Sequence, residues 1–111
     1  MNDLSDKNCI PCEGGVPPLP VTEREELLLT LHSDWSLINE KNRLQRKLKF
    51  QDFKESFALV CEISKMAEQQ WHHPDIKFGW GYLEIVIYTH KIQSLVESDF
   101  IFAAKVDKLV S

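Results

Sequence analysis

The segment Glu68-Gln-Gln-Trp-His72-His73-Pro74 is the most unusual local feature of this chain. Glu68 and His72 stand at i and i+4, so a helix reaching His72 sets the carboxylate and the imidazole on one face. A carboxylate beside an imidazole orients the ring or raises its affinity for a proton. Histidine is also the side chain best suited to exchange protons near neutral pH. His90 closes a strongly alternating apolar run, and Asp99 falls in the first turn of an expected helix. Together these residues offer three imidazoles and two carboxylates, with no evident serine or cysteine nucleophile. General acid–base catalysis is the chemistry that such a set can perform.

Each of these residues also has an ordinary use. Asp99 suits a helix N-terminus as a favourable charge. Trp71 and Trp80 suit core or interface anchoring, the usual role of tryptophan. His72, His90, Glu68 and Asp99 include the right atoms for a metal, but spacing alone does not bring the distant ligands together, and the most diagnostic zinc patterns are missing. Cys9 and Cys12 form a CIPC pair like half of a zinc or redox site, with no second pair nearby to complete it. They are expected to be two thiols in a flexible segment, and Cys61 a small core residue. The residues by themselves lead to an acid–base cleft.

The elements that must position that cleft follow from periodicity. Residues 1–20 read as a flexible N-terminal segment, because GGVPPLP interrupts regular structure; residues 21–111 read as one domain. Thr22 and Glu25 have capping-box spacing ahead of a short helix carrying Leu27, Leu28 and Leu31. Strands are predicted over 35–38 and 44–50, joined by a polar turn at 39–42, with Arg46 interrupting the apolar face of the second. Asp52 and Glu55 repeat the capping-box spacing. A helix to about Gln70 follows, with Phe53, Phe57, Val60, Ser64 and Ala67 as its apolar stripe, widened by Ala58, Ile63 and Cys61. Pro74 ends that helix and biases His73 towards extended torsions. Strands over 76–80 and 83–89 come next, the latter with Leu83, Ile85 and Ile87 on one face. A last helix begins near Ser98 and carries Ile101, Ala104 and Leu109, with Phe102, Ala103 and Val106 nearby. The order α-β-β-α-β-β-α predicts an α+β domain, with an antiparallel four-stranded sheet and helices on one face.

Bulk properties narrow the classes. A chain of 111 residues with 43% hydrophobic content fits one domain with a modest core. A protein of this size often gains stability by self-association. The formal charge of −4 argues against a nucleic-acid binder. No apolar run approaches the roughly 20 residues that span a bilayer. The N-terminus lacks a secretory pattern, so the expected location is cytoplasmic, with no membrane partner.

Glu68, then His72-His73-Pro74, Trp80, His90 and Asp99, set within HHPDIKFGWGYLEIVIYTHKI and SDFIFAAKVD, resemble the pterin-4a-carbinolamine dehydratase family. The resemblance runs from about Thr22 to the C-terminus and is similar to the bacterial branch. It implies a four-stranded antiparallel sheet packed by helices on one side, and a homodimer or homotetramer. It implies removal of water from 4a-hydroxytetrahydropterin to give the quinonoid dihydropterin, with no metal and no cofactor. Regeneration of that pterin couples the reaction to an aromatic amino acid hydroxylase, typically phenylalanine hydroxylase. By the same resemblance, His72 and His90 are the leading proton-transfer residues, and His73 contacts the pterin. Glu68 then orients the doublet or a ring N–H, while Trp80 and Asp99 bind or shape the pocket. Trp71, Ser94 and Ser98 depart from residues common in the family and bear on substrate contact and rate. The rival expectation is a non-catalytic dimeric protein that partners a hydroxylase or a transcription factor.

Overall fold

The computed structural model describes residues 4–10 and 16–110. Its elements are α1 (Val21–Leu28), β1 (Ser36–Ile38), β2 (Arg43–Lys49), α2 (Phe53–Gln70), β3 (Asp75–Gly79), β4 (Tyr82–Ile87) and α3 (Glu97–Val110), preceded by a 3-10 turn at Leu4–Asp6. The strands form one antiparallel sheet in the order β1-β2-β4-β3. The fold is the expected α+β arrangement, in the expected order.

Register explains why the sheet has one apolar face. Leu44 pairs with Ile87, Arg46 with Ile85 and Leu48 with Leu83, while Ile76 and Phe78 of β3 pair with Ile85 and Leu83. Because side chains alternate along a strand, these positions share the inner face. Leu44, Leu83, Ile85 and Ile87 are completely buried there, against Ile63 of α2 and Phe100, Phe102 and Val106 of α3. Gly81 makes the tight β3–β4 reversal at φ 82°, and its carbonyl accepts from the Phe50 N–H at 2.9 Å.

Local signals are obeyed unevenly. Asp52 caps α2 as its spacing predicts, accepting from the Glu55 N–H at 2.8 Å. Thr22 does not cap α1. The N-cap is Pro20, which has no side-chain bond to give, and Thr22 lies inside the helix. The buried face of α2 is Ser56, Leu59, Ile63 and Ala67; of the expected stripe it keeps Ile63 and Ala67 but not Phe53 and Phe57. Those two rings are half exposed and lie against Phe78, with ring centroids 5.4 and 6.2 Å away. Leu109 is also partly exposed, and Val106 takes the core position on α3.

Arg46 does not break the inner face of β2; it points into it. Its guanidinium meets Asp107 of α3 at 2.5 Å with little exposure of the arginine. Asp107 also accepts from Trp35 Nε1 at 2.7 Å and from the His32 N–H at 3.1 Å. A buried charge is tolerated only with such partners.

Candidate active site

The left-handed residue that ends α2 organises the site. Trp71 has φ 53° and ψ 45°, and the His72 N–H bonds back to the Ala67 carbonyl at 3.1 Å. A left-handed residue beyond the last helical turn reverses the chain. The helix therefore stops short of His72, and the two neighbouring histidines diverge.

His72 goes inward. It is 7% exposed, its Nε2 lies 2.7 Å from Asp99 Oδ1, and its ring centroid is 5.7 Å from that of Phe102. The second oxygen of Asp99 accepts from the Thr89 hydroxyl and from the Val96 N–H, each at 2.8 Å. Asp99 is fully buried and stands in the first turn of α3, so its bond to Val96 is the reach-back bond of a capping box. The structural use and the chemical one coincide: one oxygen holds the helix start, the other holds the imidazole. Two donors converge on Asp99 Oδ2, and the His72 ring meets Oδ1. In the tautomer in which His72 Nε2 donates to Asp99, Nδ1 is the nitrogen left to exchange a proton.

His73 goes outward. Its Nε2 lies 2.6 Å from Glu68 Oε2, and Trp71 meets its ring edge-on at 5.1 Å. Glu68 thus partners His73, not the His72 that i, i+4 spacing assigns it. Glu68 and His73 line a cleft of about 290 Å³ with Ile63, Ser64, Ala67, Pro74 and Ile76. Larger grooves lie on the outer sheet face around Lys47 and beside Ser5, and neither contains a histidine. Chemistry, not size, selects the cleft.

His90 lies beyond the end of β4, in a turn closed by the Thr89–Ser94 bridge. Its Nε2 is 3.3 Å from Asp75 Oδ1, and its ring stacks 4.1 Å from Tyr88, over which Arg43 lies at 3.6 Å. Asp75 follows directly after His72-His73-Pro74, so one short segment supplies two imidazoles and the carboxylate that holds the third. Trp80 is largely exposed in the β3–β4 turn, away from the residues lining the cleft.

Thr89 and Asp75 were absent from the set chosen on spacing. Asp75 had a signal, as the residue after the HHP triplet at the mouth of a strand. Thr89 had none, because its bond to Asp99 depends on how α3 docks. Of the four residues considered as metal ligands, His72 and Asp99 meet each other while Glu68 and His90 pair elsewhere, and among the described residues no three His, Cys, Asp or Glu side chains converge on one point. No helix among the described residues is long and apolar enough to cross a membrane.

Cys9 is buried against the start of α3, and burial pushes its thiol from the ordinary 9.0 up to about 11. Its donor bond runs to the Ser98 carbonyl at 3.5 Å. Cys12 lies outside the described residues. Cys61 is half-buried on α2.

Fold and site together define a small α+β domain that carries three imidazole–carboxylate pairs at one end of its sheet. The family model described as "Pterin 4 alpha carbinolamine dehydratase" matches residues 17–109. A Rubrobacter xylanophilus protein named "Putative pterin-4-alpha-carbinolamine dehydratase" is 50% identical, covering 98% of this chain and 100% of its own. A protein of the same name from Alkaliphilus metalliredigens is 47% identical, over 97% and 96% of the two chains. The chain belongs to the pterin-4a-carbinolamine dehydratase family. Among solved structures, a transcriptional coactivator/pterin dehydratase from Brucella melitensis shares the fold, with a TM-score of 0.79 at 24% identity over 86% of this chain and 100% of that one. A pterin dehydratase-like protein described as a RuBisCO assembly factor in the alpha-carboxysome aligns with a TM-score of 0.61 at 25% identity, over 72% and 96%.

Proposed function

We propose that this chain is a hydro-lyase that removes water from a 4a-hydroxytetrahydropterin, giving the quinonoid dihydropterin by histidine acid–base catalysis. Family membership supports the reaction class. The observation that carries the mechanism is that each of the three site histidines, out of four in the chain, has its own carboxylate: His72 with Asp99, His73 with Glu68 and His90 with Asp75.

The reaction needs one proton given and one taken. The C4a–O bond breaks as the leaving hydroxyl gains a proton and departs as water. The neighbouring ring nitrogen loses its proton, and its electron pair forms the new double bond to C4a. His72 and His90 exchange these two protons. Asp99 holds the His72 ring so that Nδ1 faces the reacting atoms, and Asp75 does the equivalent for His90. His73 and Glu68 grip the edge of the pterin in the cleft whose apolar walls are Ile63, Ala67, Pro74 and Ile76; Trp80, exposed at the opposite end of the β3–β4 hairpin, has no part in that contact. The product returns, after reduction, to an aromatic amino acid hydroxylase. A homodimer or homotetramer is the working form, and the half-exposed Phe53 and Phe57 beside Phe78 offer an apolar face for that association.

Stopped-flow measurement of freshly generated 4a-hydroxytetrahydropterin tests the proposal. His72→Ala and His90→Ala should each lower the dehydration rate by about 10²- to 10⁴-fold. Wild-type rates in both variants would remove the proton-transfer assignment. A folded protein with no turnover would favour the second reading, a binding role, for which the relative described as an assembly factor supplies a precedent on the same fold.

A further inference from the structure

Residues 4–10 do not trail from the domain; they cross the junction between the end of α2 and the start of α3. The Cys9 N–H donates to Gln70 Oε1 at 2.8 Å, and Gln70 is the last residue of α2. The Ile10 N–H donates to Ser98 Oγ at 2.9 Å, and that hydroxyl lies 3.3 Å from the Ile10 carbonyl, to which it donates. Cys9 Sγ reaches the Ser98 carbonyl, and Lys105 Nζ donates to the Ser5 carbonyl at 2.8 Å. Cys9 and Ser98 are both buried. Gln70 stands two residues before His72, and Ser98 immediately before Asp99. The segment therefore ties together the two backbones that carry the His72–Asp99 pair.

We infer that Ser98 is a positioning residue for the dehydration: it anchors residues 4–10 across α2 and α3, and this holds the Asp99 carboxylate in line with His72 Nε2. The inference rests on the dehydratase reading of the site. The physical reason is leverage. Asp99 is one residue from the anchor, and its two oxygens must meet Val96, Thr89 and His72 at once. A small rotation of the first turn of α3 would keep the cap and lose the aim at the imidazole. Gln70 performs the matching task for His72 from the other side.

Three variants and two readouts test this. Ser98→Ala should lower kcat about tenfold, as loss of an outer-layer orienting bond typically does, with KM within about twofold of wild type. Ser98→Thr, which keeps the hydroxyl, should restore the rate, and Gln70→Ala should reproduce the loss. The His72 ring-nitrogen chemical shifts, read by NMR, should move in Ser98→Ala and return in Ser98→Thr. That readout needs no turnover, so an inactive wild-type protein would end the dehydratase reading, while unmoved His72 shifts in Ser98→Ala would by themselves overturn the positioning one. If Ser98 acts through Asp99, Ser98→Ala should cause no further loss in an Asp99→Asn background. Equal losses in both backgrounds would overturn the inference. So would wild-type kcat and His72 shifts in both Ser98→Ala and Gln70→Ala.

Discussion

Asp99 Oδ1 lies 2.7 Å from His72 Nε2, a bond that crosses 27 positions of sequence to join the first turn of α3 to the first residue beyond the cap of α2. The same carboxylate completes a helix cap through its other oxygen. Loss of this charge should therefore affect stability and rate together. Asp99→Asn is expected to cost about 1–3 kcal/mol in urea unfolding, because buried donors lose their charged acceptor. It should also cost at least about tenfold in kcat. A variant that loses stability but keeps kcat would reduce Asp99 to a cap.

His73 and Glu68 present the opposite case. Both are exposed, so their ion pair adds at most about 1 kcal/mol to stability. His73→Ala and Glu68→Gln should leave thermal unfolding nearly unchanged and act on substrate. KM should rise, with kcat falling by less, which is the pattern of lost ground-state binding. Steady-state kinetics on each variant decides this, and an effect on kcat alone would move His73 into the proton-transfer role.

The Arg46–Asp107 pair is a matter of folding rather than catalysis. Asp107→Ala strands a buried guanidinium and two further donors, Trp35 Nε1 and the His32 N–H. The expected cost is about 3–5 kcal/mol in denaturant unfolding. Replacing both partners with apolar residues, as in Arg46→Met with Asp107→Leu, should recover the share due to the guanidinium and leave the share due to Trp35 Nε1 and the His32 N–H.

Trp71 holds φ 53° without the freedom of glycine. Trp71→Gly should relieve about 1 kcal/mol of left-handed strain and raise the unfolding midpoint, since the indole is mostly exposed. The edge contact to the His73 ring is lost, so KM should rise in the same protein.

Cys9 gives the stability a pH dependence of definite sign. Burial raises its thiol from 9.0 to about 11, with Asp99 adding to the rise and Lys105 opposing it. The folded state then keeps its proton where the unfolded chain has lost it. The stability tied to this thiol is full below pH 9 and declines as pH climbs from 9 towards 11. Thiolate absorbance in a protein carrying Cys12→Ser and Cys61→Ser should show that delayed titration. A thiol that ionises near 9 would contradict it.

Much of the frame was legible because it depends on neighbours in sequence. The α2 helix runs from Phe53 to Gln70 because Asp52 caps it and Pro74 forbids its continuation. β4 is a strand because Leu83, Ile85 and Ile87 alternate. The histidines and their two acidic companions were also legible, as residue types at telling separations. Their pairing was not. Adjacent His72 and His73 part company at one left-handed residue, and only the docking of α3 decides that Asp99 takes the first. Thr89 joins the site by that same docking. Arg46 reads as a flaw in an apolar face until Asp107 arrives 61 positions later to neutralise it. The buried side of α2 was legible in part: Ile63 and Ala67 belong to the expected stripe and are buried, but Phe53 and Phe57 match Leu59 in hydrophobicity, and the sheet's position alone chooses Leu59 over them. Periodicity and capping are local and act within a few residues. Partner choice among buried charges is decided by which backbones the fold brings within hydrogen-bonding distance.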